Sequence, residues 1–244
     1  MRKRIILTFM AMIGSTSSLS ADTAEDTFVE ANVLGIFYHE LGHAVIDIEQ
    51  VPIFGQEEDA ADVFSIFLID ALFDEETATS LAYDASLGFW GEVLAREADG
   101  YDMTWWSVHG PDEQRFYNTV CLFYGADPDE RETFAEDMEL PEERAEYCPD
   151  EYDLAAASWG AILDDIETRE AGMPIVFESG EGFAADILRH EVALLADEIR
   201  LAQPLRVSVQ ECGEANAFYD LETIEIIFCS EFEAHLRRIF HLIQ

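Results

Sequence analysis

The chain has 244 residues and is 49% hydrophobic, enough apolar material for one large domain or two small ones. Thirteen basic residues stand against 52 acidic ones, a formal net charge of −39 at pH 7, and such a surface repels both nucleic acid and anionic lipid, which excludes them as partners. The acids run along the whole chain without a D-x-D-x-D-G spacing, so they read as a solvated, salt-tolerant face and not as dedicated calcium sites.

In chain order, Arg2, Lys3 and Arg4 precede the apolar run IILTFMAMIG and the small residues of TSSLSA. This is the pattern of an export signal, expected to occupy residues 1–21 and to be removed. The apolar run is too short to persist as a membrane anchor, and no Cys follows it to carry a lipid. The expectation is a periplasmic or secreted protein whose remaining residues, 22–244, form a single domain. That domain keeps ten arginines, no lysine and all the acidic residues. Its four cysteines, Cys121, Cys148, Cys212 and Cys229, are an even set suited to two disulfides in an oxidising compartment. Three pairings are open, with sequence neighbours (Cys121 with Cys148, Cys212 with Cys229) the first choice.

DTAEDTFVE supplies capping residues for a helix running through Ile48, with Ile36, Phe37, Leu41, Ala44, Val45 and Ile48 as its buried stripe. VPIFG breaks it. A second helix is expected over about 56–73, with Ala60, Ala61, Phe64, Phe67, Leu68 and Ala71 inward, and a third over about 75–96. EADGYDMTWWSVHGPD interrupts the pattern as a long loop of the kind that often carries function. Helix resumes over 112–124, GADPDE reads as a turn, and further helices are expected near 151–169 and 181–202 with a short strand in AGMPIVFESGEG between them. LRVSVQEC and TIEIIFC alternate as strands joined through GEANAFYDLE, predicting a hairpin over about 205–229, and EFEAHLRRIFHLI closes the chain as a helix. The class expected is mainly α with a small sheet, α+β. Nothing in the patterning sets an oligomeric state.

The chemistry concentrates in FYHELGHAVIDIEQVPIFGQEEDAAD. His39 and His43, four apart, share one helix face and can address one ion. Glu40 beside them can reach a water on that ion without being a ligand, and serve as general base. Gly42 keeps the helix surface open where a neighbour must approach. The turn at VPIFG carries EEDAAD back toward the histidines, so Glu58 is expected as third ligand. Asp62 is expected to accept the free N–H of a ligating histidine. Glu57 takes the ligand role if the second helix starts in another register. Buried in an apolar helix, His39, Glu40 and His43 would be costly unless they served a site. His109 and Tyr117 are candidate donors to a developing oxyanion, though His109 could equally cap the helix beginning at Asp112. His190-Glu191 starts the same pattern, but Leu194 stands where the second histidine should be, and the two read as a surface pair. His235 and His241 read as solvated or helix-terminal.

At these residues the chain resembles the gluzincin metallopeptidases, in which HExxH is completed by ExxxD on a following helix. FYHELGHAVID and VPIFGQEEDAAD, with HGPDEQRFYNTVCLFYGADP and LPEERAEYC, resemble more closely a bacterial family of metallopeptidases catalogued as a domain of unknown function. The resemblance implies a zincin-like metallopeptidase domain with His39, His43 and Glu58 as zinc ligands, Glu40 as base and Asp62 orienting a ligand. Gluzincins also place an Asn-Ala-Phe strand at the rim of the cleft, where it pairs with the substrate backbone. Asn216, Ala217 and Phe218 match it, on the expected hairpin. In those enzymes the strand precedes the HExxH helix, whereas here it follows, so the C-terminal hairpin is expected to fold back beside that helix as a circular permutation would. The function implied is an exported zinc peptidase acting on a peptide or protein. The motif encodes an activated water and not the scissile group, so another amide such as cell-wall peptide fits the same residues. A non-catalytic exported metal-binding protein is the third reading, and the intact Glu40 speaks against it.

Overall fold

Thr23 opens the first helix with a capping box: its hydroxyl accepts from the Asp26 N–H at 3.1 Å while the Asp26 carboxylate accepts in return. The structure, a computed structural model, describes residues 23–169 and 171–244, so the expected export signal lies outside the described residues. From this cap α1 runs Ala24–Ile48 and buries 16 of its 25 residues, the mark of a helix enclosed on most sides. It is enclosed by α2 (Glu57–Leu72), α3 (Glu75–Asp99) and α9 (Glu231–Ile243), and by α8 (Phe183–Glu198) with two strands of the sheet. Phe28, Phe37, Tyr38, Phe64, Phe123 and Phe228 are fully buried in the resulting core, each contributing about 1.5–3 kcal/mol on transfer from water.

α2 doubles back along α1, so ascending residues of one face descending residues of the other: Glu58 meets His43, and the Ser65 hydroxyl donates to the Gly35 carbonyl at 2.7 Å. α3 starts on an Asp74 cap and ends at Gly100, whose φ of +74° closes the helix in the left-handed conformation. After the loop, α4 spans Asp112–Ala126 and α7 spans Cys148–Thr168, joined by the Cys121–Cys148 disulfide. Between them the segment read as a turn is instead a helix start. Asp127 accepts from the Glu130 N–H and Pro128 occupies the first turn of α5 (Pro128–Asp137), with a short α6 (Glu142–Ala145) behind it. Buried Arg131 pins α5 down, donating to Asp70 at 2.6 Å, to Glu75 at 2.8 Å and to the Phe123 carbonyl at 2.7 Å, with its guanidinium over the Phe123 ring.

The sheet contains β1 (Ile175–Ser179), β2 (Leu205–Gln210), β3 (Ala217–Asp220) and β4 (Glu225–Cys229) in the order β1-β2-β4-β3. β1, α8 and β2 make a parallel crossover unit. The expected hairpin of residues 205–229 is corrected: β2 and β4 run parallel, with Val207 opposite Ile226, and the true hairpin is β3–β4, with Tyr219 opposite Ile226. AFYD, inside the supposed connector, alternates as a strand in its own right and takes one edge of β4, leaving the other to β2. The Cys212–Cys229 disulfide ties this connector to the end of β4. β3, at the sheet edge, lies against α1. Among the described residues no helix is long and apolar enough to cross a membrane.

Candidate metal centre

The approach of α1 to α2 is tightest at the motif. A Cβ added at Gly42 would stand 3.1 Å from the Ala61 Cα and 3.2 Å from Phe64 Cδ1, so only glycine between the two histidines lets α2 settle this close. One turn before Ala61, Glu58 then reaches His39 and His43 across the interface. His39 Nε2 and His43 Nε2 are 3.2 Å apart. Glu58 Oε2 is 3.3 Å from the first and 3.2 Å from the second. These three near-equal separations are close to the edges of a tetrahedron whose centre bonds its corners at about 2.0–2.1 Å.

The other ring nitrogens are held. His39 Nδ1 is 2.7 Å from Asp62 and His43 Nδ1 is 2.8 Å from Glu57. Glu57, expected at most as a substitute ligand, is the partner of His43. With each Nδ1–H donated to a carboxylate, loss of the remaining ring proton leaves both Nε2 lone pairs pointing at the same space. A cation satisfies that arrangement, and the residues present fit a divalent metal ion. Asp62 is itself clamped: Arg115 Nε and Nη2 donate to its two oxygens at 2.8 and 2.7 Å, with the guanidinium 4.3 Å over the Phe89 ring. Burial raises the Asp62 carboxyl, but Arg115 and His39 outweigh it and hold it well below the usual range. Glu58 is held far lower still by His109, His39 and His43. Burial works against charge on His39, yet Asp62 and Glu58 push its pKa up to about 9. The carboxylates thus stay ionised at any ordinary pH, and a metal ion would displace ring protons to bind.

Glu40, 7% exposed, faces a cleft of about 640 Å³ shared by His39, Glu58, His109 and the strand residues Asn216 to Tyr219. Burial raises the Glu40 carboxyl, while His39, His43 and the Tyr219 backbone N–H draw it down. The Tyr219 hydroxyl donates to Asp47 at 2.8 Å, so β3 is fastened to α1 along the cleft wall. The Asn216 side chain accepts from the Ala217 N–H at 3.0 Å, and Phe218 is 37% exposed.

His109 crosses from the loop between α3 and α4, and its Nε2 lies 2.9 Å from Glu58 Oε2. It does not cap α4, which begins after Pro111 without a side-chain cap. Tyr117 packs against Phe116 and is not among the residues lining the cleft. Glu191, read as a surface residue, is 5% exposed and accepts from the Tyr38 hydroxyl at 2.7 Å. Its place on the inward face of α8 decides this, not its resemblance to a motif. His235 pairs with Glu92 at 2.8 Å rather than standing in solvent. Arg115 and Tyr219 escaped the sequence reading. Arg115 is 53 residues from Asp62, and Tyr219 reaches Glu40 through its backbone and Asp47, 172 residues away, through its hydroxyl, so neither leaves a local signal.

A histidine–carboxylate donor set that can hold a metal ion, with a buried carboxylate beside it in a strand-bordered cleft, is the equipment of a metal-dependent hydrolase. Residues 4–163 and 183–243 match the sequence model of a family described as "Putative metallopeptidase", and the chain belongs to that family. Membership implies a metal ion and peptide substrates. No curated protein and no solved structure matches the chain at a significant level.

Proposed function

We propose that the protein is an exported zinc-dependent peptidase. The observation that carries this reading is the triangle of His39 Nε2, His43 Nε2 and Glu58 Oε2, with sides of 3.2–3.3 Å and outer nitrogens fixed by Asp62 and Glu57. His39, His43 and Glu58 are the residues that would hold zinc, and Asp62, steadied by Arg115, orients His39. Bound zinc would supply Lewis acidity, polarising the scissile carbonyl and lowering the pKa of water toward neutrality.

The chain does the rest. Glu40 takes a proton from the water that attacks the carbonyl carbon and returns it to the amine nitrogen as the C–N bond breaks. Its burial raises its basicity above that of an exposed carboxylate, which suits a base that must work near neutral pH. His109 donates toward the carbonyl oxygen as negative charge develops there. The edge strand Ala217–Asp220, with Asn216 before it, offers backbone groups to an extended peptide, and Phe218 contacts its side chains. Two disulfides among the described residues suit an oxidising, extracytoplasmic setting, in keeping with the signal pattern of residues 1–21.

The test is metal content by plasma mass spectrometry, on protein purified without a chelating tag, beside His39→Ala. About one zinc per chain, lost in the variant, supports the reading. No metal after zinc is offered would sink it. A peptide-library digest then reads the bond cleaved.

A further inference from the structure

A metal site that activates water must keep one position free of protein, whereas a site with four protein ligands is closed. Three donors are counted above. The structure brings a further histidine up to two of them: the ligand atoms of His39, Glu58 and His109 all lie within 4.8 Å of one another, and His109 Nε2 is 2.9 Å from Glu58 Oε2. Resting on the metal reading above, we propose that His109 is a displaceable fourth ligand, which completes the metal's coordination while the cleft is empty and withdraws when a peptide enters.

The four donors are not held alike. The His39 and His43 side chains are 9% and 13% exposed and anchored through Nδ1 to carboxylates, while His109 is 43% exposed. Its backbone N–H makes a local bond to Ser107 Oγ at 3.3 Å. Residues 100–111 belong to no helix or strand, and Trp105 and Trp106 on them are 78% and 85% exposed. Moving the segment therefore sacrifices little buried area. Its base, by contrast, is secured: Arg96 at the end of α3 donates to Asp112 and Glu113 at the start of α4, and Gly100 already holds a left-handed conformation at the hinge. A segment clamped at its ends and loose between them can swing one side chain without disturbing the helices. Off the metal, the ring remains at the cleft, where it is needed as a donor to the substrate's carbonyl oxygen. The same residue thus serves in turn as stopper and electrophile, and the resting enzyme is guarded against indiscriminate hydrolysis.

The experiment counts imidazoles by zinc-edge X-ray absorption on the zinc-loaded protein, with and without saturating acetohydroxamate, a small bidentate metal ligand. Three imidazoles in the resting protein, falling to two with acetohydroxamate, are expected. His109→Ala should show two in both conditions, keep about one zinc per chain, and bind zinc roughly 10–100-fold more weakly and acetohydroxamate at least ~10-fold more tightly. Two imidazoles throughout, with stoichiometric zinc in the unaltered protein, would overturn the fourth ligand and leave the metal reading standing. Absence of zinc from the unaltered protein would overturn both. Because the acetohydroxamate comparison uses the unaltered protein, it does not depend on how the variant folds.

Discussion

The two banks of the cleft are built on opposite principles. On one, α1 and α2 meet at the distance only Gly42 permits, and both histidines are held by carboxylates, His39 by Asp62 and His43 by Glu57, with Asp62 held in turn by Arg115. On the other, His109 rides on an irregular segment whose tryptophans face solvent. The first bank places charge in low-dielectric surroundings and needs rigid neighbours to keep it there. The second must admit a substrate, and its weak packing makes that inexpensive. Substitutions on the helix bank should therefore be felt in both stability and metal binding, and those on the loop bank hardly in stability at all.

The largest effect expected is on chemistry alone. Glu40→Gln should keep its zinc and lose hydrolysis by roughly 10²–10⁴-fold, read as kcat on a peptide drawn from the library digest beside metal content. Undiminished hydrolysis would remove Glu40 from its role. Next, Arg115→Ala strands the Asp62 carboxylate in a largely enclosed site. A loss of about 3 kcal/mol in urea unfolding and roughly 10–100-fold in zinc affinity is expected. A stability loss with unchanged zinc affinity would separate Arg115 from the metal centre.

Gly42→Ala forces α2 outward by a few tenths of an ångström and should cost about 1–3 kcal/mol. Its zinc affinity should fall with it, since Glu58 rides on the displaced helix. Tyr38→Phe removes the hydroxyl that supports buried Glu191. Burial raises the Glu191 carboxyl and the Tyr38 hydroxyl lowers it, so in the variant it rises further. An acid whose folded pKa is raised favours the folded state below its unfolded value of about 4.3 and loses that contribution as pH climbs through the folded value. The variant should accordingly be about 1–2 kcal/mol less stable at pH 7, and the gap should narrow toward pH 4 in unfolding curves taken at both. A gap independent of pH would place the loss in packing alone. The smallest effect is expected from Trp106→Ser, within about 0.5 kcal/mol of the unaltered protein. A larger loss in thermal unfolding would show that the loop bank is packed after all.

Local periodicity carries part of this architecture. Four residues are one helical turn, so His39 and His43 face one point in any helix, and VPIFG between two apolar-periodic runs obliges α2 to return along α1. The two disulfides join the neighbouring cysteines of each half, as the shortest loops suggest. The tertiary structure decided the rest, and for one physical reason: which distant groups lose their water together depends on packing, which spacing does not encode. Glu57 and Glu58 are adjacent and chemically identical, and the packing of α2 on α1, closest at Gly42 and Ala61, sends one to His43 Nδ1 and the other between the rings. Arg115 and Glu191 carry no local sign of their partners, because burial beside Asp62 and Tyr38 is what makes those pairs form. β2 and β4 alternate alike, so periodicity could not tell an antiparallel from a parallel pairing. The short AFYD strand settles it by occupying the edge of β4 that a hairpin would have used.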